Sequence, residues 1–180
     1  MEERLVEKFK RVKLLLLDVD GVLTEGRIMF LGNIEEIKCF DVYDGLGVVL
    51  LKRAGIKTII ITAKKSSAVR KRAKEMEIEE VYQGVQNKLK VYQKILKKHK
   101  VLPEEIGFIG DEIIDLPVLE KVGLSIAVPN AVEEVKQKVD YITHKEGGRG
   151  AVREVCEIIL KTQGKWEGAI KRFLNLENSH

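Results

Sequence analysis

The segment Lys13–Thr24 (KLLLLDVDGVLT) decides the fold. Four consecutive leucines without polar alternation predict a strand that is buried on both faces, as in parallel sheets covered by helices. The apolar run ends at two carboxylates, Asp18 and Asp20, which can both point toward one cleft at the end of the strand. Gly21 allows the chain to turn away sharply after them. The segment therefore predicts an α/β protein with a polar site where its first strand ends.

Short apolar runs alternate with amphipathic stretches along the rest of the chain, which indicates β–α units and a parallel sheet. Residues 26–40 differ, because two strand-like stretches there flank Gly32-Asn33, which has the composition of a hairpin turn. We expect one domain over residues 1–162 and a tail over residues 163–180. Strands are predicted over residues 13–19, 57–62, 80–82, 105–109, 124–128 and 139–143, and helices over residues 44–54, 66–76, 87–99, 114–122, 131–138 and 151–160.

The composition is that of a globular protein. The chain has 180 residues, of which 44% are apolar and 33% are charged, and these values exclude disorder. The longest apolar run, Leu14–Leu17, is far shorter than the roughly 20 residues of a membrane span, and the charged N-terminus lacks the apolar core of a secretion signal. Cys39 and Cys156 are too few for a disulfide framework or a zinc site, so we expect reduced, buried thiols and a cytoplasmic protein.

The net charge of +4 is only mildly basic. Two lysine-rich stretches, residues 64–74 and 90–100, contain few aromatic residues, whereas a nucleic-acid-binding surface requires interleaved aromatics and a larger excess of positive charge. We therefore expect solvated helix faces that help to steer an anionic substrate, and no nucleic-acid or membrane partner.

Further polar residues are predicted to lie at the same edge of the sheet as Asp18, because sites in open parallel sheets form at the carboxyl ends of strands. Thr62 ends the second long strand, and Lys88 begins a helix, where free backbone N–H groups favour an anion. Asp111 and Asp115 follow a third strand and stand four residues apart, a spacing that can place both on one helical face. The topology is expected to bring these side chains together.

The chemistry of this set is that of phosphoryl transfer. Converging carboxylates repel one another unless a cation lies among them, and oxygen-only ligands suit Mg²⁺. A carboxylate nucleophile can form an aspartyl-phosphate, and a second carboxylate can protonate the leaving group and then activate water. Thr62 and Lys88 are suited to stabilise charge on the transferred group. The residues therefore predict an Mg²⁺-dependent phosphotransferase.

At these residues the chain resembles the haloacid dehalogenase superfamily of phosphotransferases. DVDGVLT (residues 18–24), Thr62, Lys88 and GDEIID (residues 110–115) are similar to its four motifs and occur in the family's order. The resemblance implies a three-layer, Rossmann-like α/β fold, with a parallel sheet between helices on both faces. It also implies a short β-hairpin flap at about residues 26–40 and no cap domain.

The same resemblance implies a role for each acidic residue. Asp18 would be the nucleophile and Asp20 the general acid and base. Magnesium would be held by the side chain of Asp18, the backbone carbonyl of Asp20 and the side chain of Asp111. Asp115 would orient a metal-bound water or another ligand without binding the metal itself.

Four longer segments resemble 3-deoxy-D-manno-octulosonate 8-phosphate phosphatases, the small, cap-less branch of the superfamily. They are FDVYDGLG (residues 40–47), ITAKKS (61–66), GDEIIDLPVL (110–119) and GGRGAVREVCEIIL (147–160). The resemblance implies hydrolysis of that sugar-acid phosphate to the free sugar acid and phosphate, a step of lipopolysaccharide biosynthesis. It also implies a homotetramer in which the flap narrows active sites near subunit interfaces.

The resemblance also implies the residues that bind substrate. Thr62, Ala63 and Lys88 would contact phosphate, and Lys64 and Arg149 the rest of the substrate, Arg149 in the same or a neighbouring subunit. Ala63-Lys64 stands where the family usually has Gly-Arg, and lysine lacks the planar fork that binds a carboxylate bidentately. A nine-carbon sialic-acid-type 9-phosphate, or another small sugar phosphate, therefore stays an alternative substrate.

Three other functions stay open. A phosphorylatable receiver also gathers Asp, Thr and Lys around Mg²⁺, but its phosphorylated Asp follows a middle strand, whereas the paired aspartates here come first. A non-catalytic interaction module conflicts with the complete motif set. A mutase conflicts with the absence of any segment that resembles a cap.

Several of these residues also have purely structural interpretations. Asp115 alone fits a helix surface or a capping position, and Lys88 alone fits a solvated lysine. Tyr43 and Asp44 either line the pocket or Asp44 caps the next helix. The segment Gly147–Gly150 fits a flexible turn, although its glycines also permit close backbone approach to a site.

Overall fold

The computed structural model describes residues 2–31 and 35–174, so the predicted turn at Gly32-Asn33 lies outside the described residues. The strands are β1 (Leu14–Leu17), β2 (Met29–Leu31), β3 (Glu35–Ile37), β4 (Lys57–Ile61), β5 (Glu80–Tyr82), β6 (Ile106–Gly110), β7 (Leu124–Ala127) and β8 (Tyr141–Ile142). The α-helices are α1 (Glu3–Arg11), α2 (Val42–Arg53), α3 (Ser67–Glu75), α4 (Lys88–His99), α5 (Leu116–Leu119), α6 (Glu133–Lys136), α7 (Ala151–Thr162) and α8 (Trp166–Leu174).

Six of the strands form one parallel sheet in the order β5-β4-β1-β6-β7-β8, which confirms the predicted α/β architecture. The leucines of β1 are fully buried at its centre. Leu17 lies opposite Ile60 of β4 on one side and Ile109 of β6 on the other. This register brings the carboxyl ends of the three central strands to one edge of the sheet.

The helices form two layers around this sheet. Helices α1, α2, α7 and α8 pack against one another, and α4 packs against α5. The i, i+3, i+4, i+7 spacing of Val152, Val155, Cys156 and Ile159 predicts one apolar face on the helix over residues 151–160. In α7 all four side chains are fully buried, which confirms that face. No helix in the described part of the chain is long and apolar enough to cross a membrane.

Strands β2 and β3 pair antiparallel outside the main sheet, with Met29 opposite Ile37. We call residues 26–40 the hairpin. Among its described side chains, four apolar ones are exposed: Ile28, Met29, Phe30 and Ile37. Cys39 is exposed as well, so the expectation that both thiols are buried is wrong for Cys39 and correct for Cys156. A hairpin outside the main sheet has few neighbours in one chain that could cover it.

The N-terminal helix α1 was not among the predicted helices, because its sequence is highly charged and its only buried residue is Phe9. Phe9 packs edge-on against Tyr141, and the side-chain amide of Gln163 donates to the carbonyls of Phe9 and Val12. The start of the chain is therefore attached to the end of α7 by tertiary contacts, which no local pattern encodes.

Two local predictions need correction. Ser66 is a residue type that can cap the helix predicted over residues 66–76; it occupies the N-cap position of α3, but its side chain forms no capping hydrogen bond. The helix predicted over residues 114–122 is a 3₁₀ turn at Ile113–Asp115 followed by the single helical turn of α5. Asp115 accepts hydrogen bonds from the backbone before it, so the chain first closes a tight turn and only then becomes helical.

Candidate active site

The strand ends bring one lysine and two aspartates together. Lys88, the first residue of α4, places its Nζ atom 2.8 Å from Asp18 Oδ1 and 2.5 Å from Asp115 Oδ1. Asp18 directly follows β1, and Asp115 lies in the turn after β6. The side chains are at most 7% exposed. A buried ammonium group is costly unless it is paired, so two carboxylate partners explain why Lys88 is stable inside the protein.

Asp115 also holds the turn that follows β6. Its Oδ2 atom accepts hydrogen bonds from the backbone N–H groups of Asp111, at 3.1 Å, and Glu112, at 3.3 Å. The capping interpretation of Asp115 is thus confirmed, and its pairing with Lys88 adds a second task. The expectation that Asp111 and Asp115 share one helical face is wrong, because the chain between them is a capped turn. The four-residue spacing still brings the two carboxylates together.

Asp111 lies directly beneath the turn that follows Asp18. A side chain at Gly21 would place its Cβ 1.9 Å from Asp111 Oδ2, and Gly21 has a φ of +97°, so glycine is required here on both counts. Asp111 Oδ1 is buried and has no hydrogen-bond partner among the described residues. An unpaired buried carboxylate oxygen of this kind is suited to a cation. We call Asp18, Lys88, Asp111 and Asp115 the Asp–Lys cluster.

The carboxylates of this cluster carry more negative charge than Lys88 can neutralise. Ligand oxygens of Asp18, Asp111 and Asp115 all lie within 4.8 Å of one another. Burial raises the pKa of Asp111 to about 8, and the charges of Asp18 and Asp115 add to the effect. Burial likewise raises the pKa of Asp18 to about 6, although Lys88 opposes the shift. The site is therefore electrostatically short of positive charge.

Asp20 is paired with a lysine that the sequence analysis did not single out. Lys38, directly after β3, donates from Nζ to Asp20 Oδ1 and, at 2.8 Å, to Glu36 Oε1. Burial opposes the charged form of Lys38, but hydrogen bonds to the two carboxylates outweigh it and raise the pKa of the ammonium. The sequence did contain a signal for the pairing of Lys38 with Glu36. Side chains alternate between the two faces of a strand, so residues two apart lie on the same face.

Thr62 lies where the sequence analysis placed it, directly after β4 and buried beside the end of β1. Its hydroxyl accepts a hydrogen bond from the backbone N–H of Lys64 at 3.3 Å, which makes a tight turn through Ala63. The side chain of Lys64 is exposed and approaches Glu36 Oε1 of the hairpin at 3.9 Å. Lys64 and Lys38 thus approach the same carboxylate oxygen of the hairpin.

The glycine-rich segment packs on the loop after Asp18 in its own chain. A Cβ atom at Gly147 would lie 1.7 Å from the carbonyl oxygen of Gly21, and Gly148 donates to the carbonyl of Val22 at 2.9 Å. The Asn130 amide links the two segments, donating to Gly21 O and accepting from Gly147 N. Asn130 was missed, although it follows β7 and the rule about strand ends applies to it.

Arg149 lies at the edge of the loop that follows Asp18 and is not part of the Asp–Lys cluster. Its guanidinium lies 2.8 Å from Glu25 Oε1, and the side chain is 65% exposed. It therefore remains available to a ligand at the mouth of the site.

Neither interpretation of Asp44 holds. Asp41 caps α2, since its Oδ1 atom accepts from the N–H of Tyr43 at 2.6 Å, and Tyr43 itself is largely exposed. Asp44 is buried and accepts instead from the N–H of Arg153 at 2.7 Å, in the first turn of α7. Gly150 has no side chain to cap that helix, so Asp44 supplies the cap from α2. Burial raises the pKa of Asp44 to about 6.

Comparisons with known proteins agree with this geometry. A sequence model of haloacid dehalogenase-like hydrolases matches residues 75–155. A 3-deoxy-D-manno-octulosonate 8-phosphate phosphatase of Salmonella typhi is 45% identical over 162 residues, which are 90% of this chain and 86% of that protein. The enzyme of the same name from Escherichia coli K12 is 44% identical over 91% of this chain and 87% of its own length.

Solved structures extend the similarity to three dimensions. The crystal structure of the phosphatase of that name from Yersinia pestis superposes with a TM-score of 0.91 at 40% identity, over 93% of this chain and 91% of its own. That from Moraxella catarrhalis, in complex with a magnesium ion, a phosphate ion and a KDO molecule, gives a TM-score of 0.92 at 41% identity, over 96% and 99% of the two chains.

Proposed function

The chain belongs to the 3-deoxy-D-manno-octulosonate 8-phosphate phosphatases of the haloacid dehalogenase superfamily, and from this premise we propose that it hydrolyses that substrate to the free sugar acid and phosphate. The observation that carries the proposal is the Asp–Lys cluster, a buried constellation at the carboxyl ends of the central strands, with Asp20 two residues from Asp18. Cluster and sequence similarity thus support one chemistry, that of a phosphoric monoester hydrolase.

In the proposed mechanism Asp18 attacks the phosphorus atom in line with the departing sugar oxygen. The new bond joins a carboxylate oxygen of Asp18 to phosphorus, the bond from phosphorus to the sugar oxygen breaks, and Asp20 gives its proton to that oxygen. Asp20 then removes a proton from water, which hydrolyses the aspartyl-phosphate. Lys88 holds Asp18 in place and, with the Thr62 hydroxyl and the turn at Ala63, stabilises charge on the transferred group.

The residues fit the magnesium ion that the family uses. The orphaned, buried oxygen of Asp111, the oxygen-only donor set and the excess negative charge of the cluster all suit a hard divalent cation. We propose that Asp18, the backbone carbonyl of Asp20 and Asp111 hold it. When bound, Mg²⁺ neutralises charge on the phosphoryl oxygens. Both oxygens of Asp115 are already engaged, one by Lys88 and one by backbone N–H groups, which supports an orienting role for it.

We further propose that Lys64 and Arg149 contact the sugar-acid part of the substrate. Both are exposed cations near the mouth of the site, and each is paired with one glutamate, Glu36 or Glu25. A substrate carboxylate can replace either glutamate as the partner. Because Lys64 is a point charge rather than a planar fork, it is expected to select less sharply among sugar acids than an arginine would.

We also propose a homotetramer with active sites near its interfaces, because the hairpin and the start of α2 expose apolar side chains. The hairpin exposes Met29 and Phe30, and Val42 and Tyr43 are exposed at the start of α2. Exposed apolar surface of this kind marks interaction sites. We propose that neighbouring copies of the chain cover this apolar surface.

Two further proposals concern the whole chain. The enzyme acts in the cytoplasm and binds no nucleic acid. Residues 1–162 form the catalytic domain, and residues 163–180 are its tail.

The test compares phosphate release from the eight-carbon 8-phosphate and from a nine-carbon sialic-acid 9-phosphate, with Mg²⁺ and with EDTA. We expect Mg²⁺-dependent turnover that favours the eight-carbon substrate. Asp18→Asn is expected to abolish it, whereas Glu79→Gln, at an exposed surface carboxylate, is expected to retain it. Full activity of Asp18→Asn contradicts the mechanism, and a preference for the nine-carbon substrate contradicts the substrate assignment. Light scattering on the same samples is expected to give the mass of a tetramer.

A further inference from the structure

The hairpin places one buried ammonium group, that of Lys38, beside Asp20 of the proposed active site. The side chain of Lys38 is 1% exposed, although Ile37 before it and Cys39 after it are both exposed. A lysine at the surface of a small two-stranded element would ordinarily extend into water. Its position inside the molecule therefore calls for a specific partner.

That partner is the carboxylate of Asp20. The Nζ atom of Lys38 donates to Asp20 Oδ1 and to Glu36 Oε1, so two carboxylates fix one ammonium group. Glu36 belongs to the hairpin itself, whereas Asp20 belongs to the loop after β1, 18 residues earlier in the chain. The ion pair thus joins the hairpin to the catalytic loop at the side chain that has to transfer a proton.

The geometry of the pair matches what a proton donor needs. Proton transfer in the transition state depends on the direction in which the acid presents its proton, and a carboxyl group free to rotate loses that direction. Because the ammonium group occupies Oδ1, the proton is left to Oδ2. The same loop also carries Glu25, whose partners are Arg27 and Arg149, yet the carboxylate that Lys38 contacts is that of Asp20.

Resting on the proposed function, we propose that Lys38 is a positioning residue that holds the Asp20 carboxyl group in the orientation required to protonate the leaving oxygen of the substrate. Lys38 itself transfers no proton and touches no reacting atom. The hairpin thereby contributes to bond cleavage in addition to shaping the mouth of the site.

The role predicts a dependence on the leaving group. A sugar alkoxide leaves only with a proton, whereas nitrophenolate leaves without one, so the two classes of ester need Asp20 to different degrees in the first step. The ratio kcat/KM reports that step, because it includes only events up to the departure of the alcohol. We therefore compare kcat/KM for three substrates: the eight-carbon sugar-acid phosphate, glycerol 3-phosphate and p-nitrophenyl phosphate.

Lys38→Met removes the ammonium group and keeps the apolar stem, and it is expected to lower kcat/KM for both alkyl phosphates about 10–100-fold. The loss for p-nitrophenyl phosphate is expected to be several-fold smaller. Lys38→Arg, which keeps the cation, is expected to restore most of the alkyl phosphate activity. The matched control is Arg27→Met, which removes an exposed cation from the same hairpin and is expected to change none of the three ratios.

Equal losses for all three substrates would show that Lys38 acts only through structure, and unchanged values would show that it is dispensable; either result overturns the proposal. A loss confined to the sugar-acid phosphate also overturns it, because Lys38 would then bind the substrate carboxylate, which glycerol 3-phosphate lacks. If Lys38→Met does not fold, Lys38→Leu, which also lacks a donor, gives the same comparison. These results are distinct from failure of the proposed function, in which the wild-type protein or Asp18→Asn gives the wrong result.

Discussion

Two lysines hold the two aspartates of the first motif, and they do so from different kinds of structure. Lys88 bridges Asp18 and Asp115 from the start of α4, and all three groups come from elements anchored in the main sheet. Lys38 bridges Asp20 and Glu36 from the hairpin, which lies outside that sheet. Asp18, the proposed nucleophile, is therefore fixed by the fold itself, whereas Asp20, the proposed acid, is fixed only while the hairpin is in place.

The two lysines are expected to differ in how much stability and how much activity is lost when each is removed. Removing an ammonium group from between buried carboxylates leaves them unpaired, and the cost grows with how completely water is excluded. Around Lys88 the carboxylates belong to the core of the fold, so stability and activity should fail together. Around Lys38 the carboxylates of Asp20 and Glu36 are about one-quarter exposed and can regain water, so activity should suffer more than stability.

The largest expected effect is that of Lys88→Met. Activity is expected to fall by about a thousandfold or more, because both the orientation of Asp18 and the charge near the phosphoryl group are lost. The free energy of unfolding, measured by urea denaturation without Mg²⁺, is expected to fall by about 3–5 kcal/mol. Lys90→Met, two residues further along α4 at an exposed position, is the control and should change neither quantity. A Lys88→Met protein as stable as the wild type would contradict the difference drawn between the two lysines.

The next effect tests whether the loop that carries both aspartates is rigid. Gly147→Ala would place a Cβ atom 1.7 Å from Gly21 O, so the loop after Asp18 has to shift. We expect kcat to fall about 10–100-fold, since small displacements of catalytic groups are expensive, and stability to fall by about 1–3 kcal/mol.

Gly168→Ala provides the control for this substitution. Gly168 lies in α8 with nothing within 4 Å of the added Cβ atom, and alanine there is expected to raise stability by up to about 1 kcal/mol with unchanged activity. Wild-type kinetics for Gly147→Ala would show that the loop tolerates movement.

The Lys88 experiment probes a part of the molecule that could be predicted from the sequence, whereas the Gly147 experiment probes a contact that could not. The leucine run forms β1, Thr62, Asp111 and Asp115 come shortly after strand ends, and Lys88 begins α4. A parallel sheet brings strand ends together whatever their separation in the chain. Fold class and candidate cluster could therefore be predicted from local patterns and one topological rule.

The remaining contacts depend on tertiary geometry that local patterns do not contain. Asn130 joins Gly21 to Gly147, Lys38 reaches Asp20, and Phe9 anchors a helix of mostly charged residues. Each pairing depends on how a loop or a terminus lies across the sheet. Asp44 is the clearest case, because it stands where it should cap its own helix and caps another one instead.

The last prediction concerns the pH dependence of stability that Asp44 causes. Asp44 extends the comparison of Lys88 and Lys38, because it is a buried carboxylate held by a backbone N–H group instead of an ammonium group. Burial raises its pKa to about 6, the nearby charge of Asp41 adds to the shift, and hydrogen bonding from Arg153 N–H and the charge of Arg72 oppose it. The folded state therefore binds this proton more tightly than the unfolded chain, in which the pKa is near 3.8.

The sign of the effect follows from that difference. As the pH falls from 7 through 6 toward 4, Asp44 takes up its proton in the folded state first, so its contribution to stability rises, by about 2 kcal/mol in total. Asp44→Asn cannot titrate, so the stability of the wild type relative to this variant is expected to increase over the same interval. Urea denaturation of both proteins at several pH values measures it. A constant difference would mean that Arg72 and the N–H groups around Asp44 already compensate its charge.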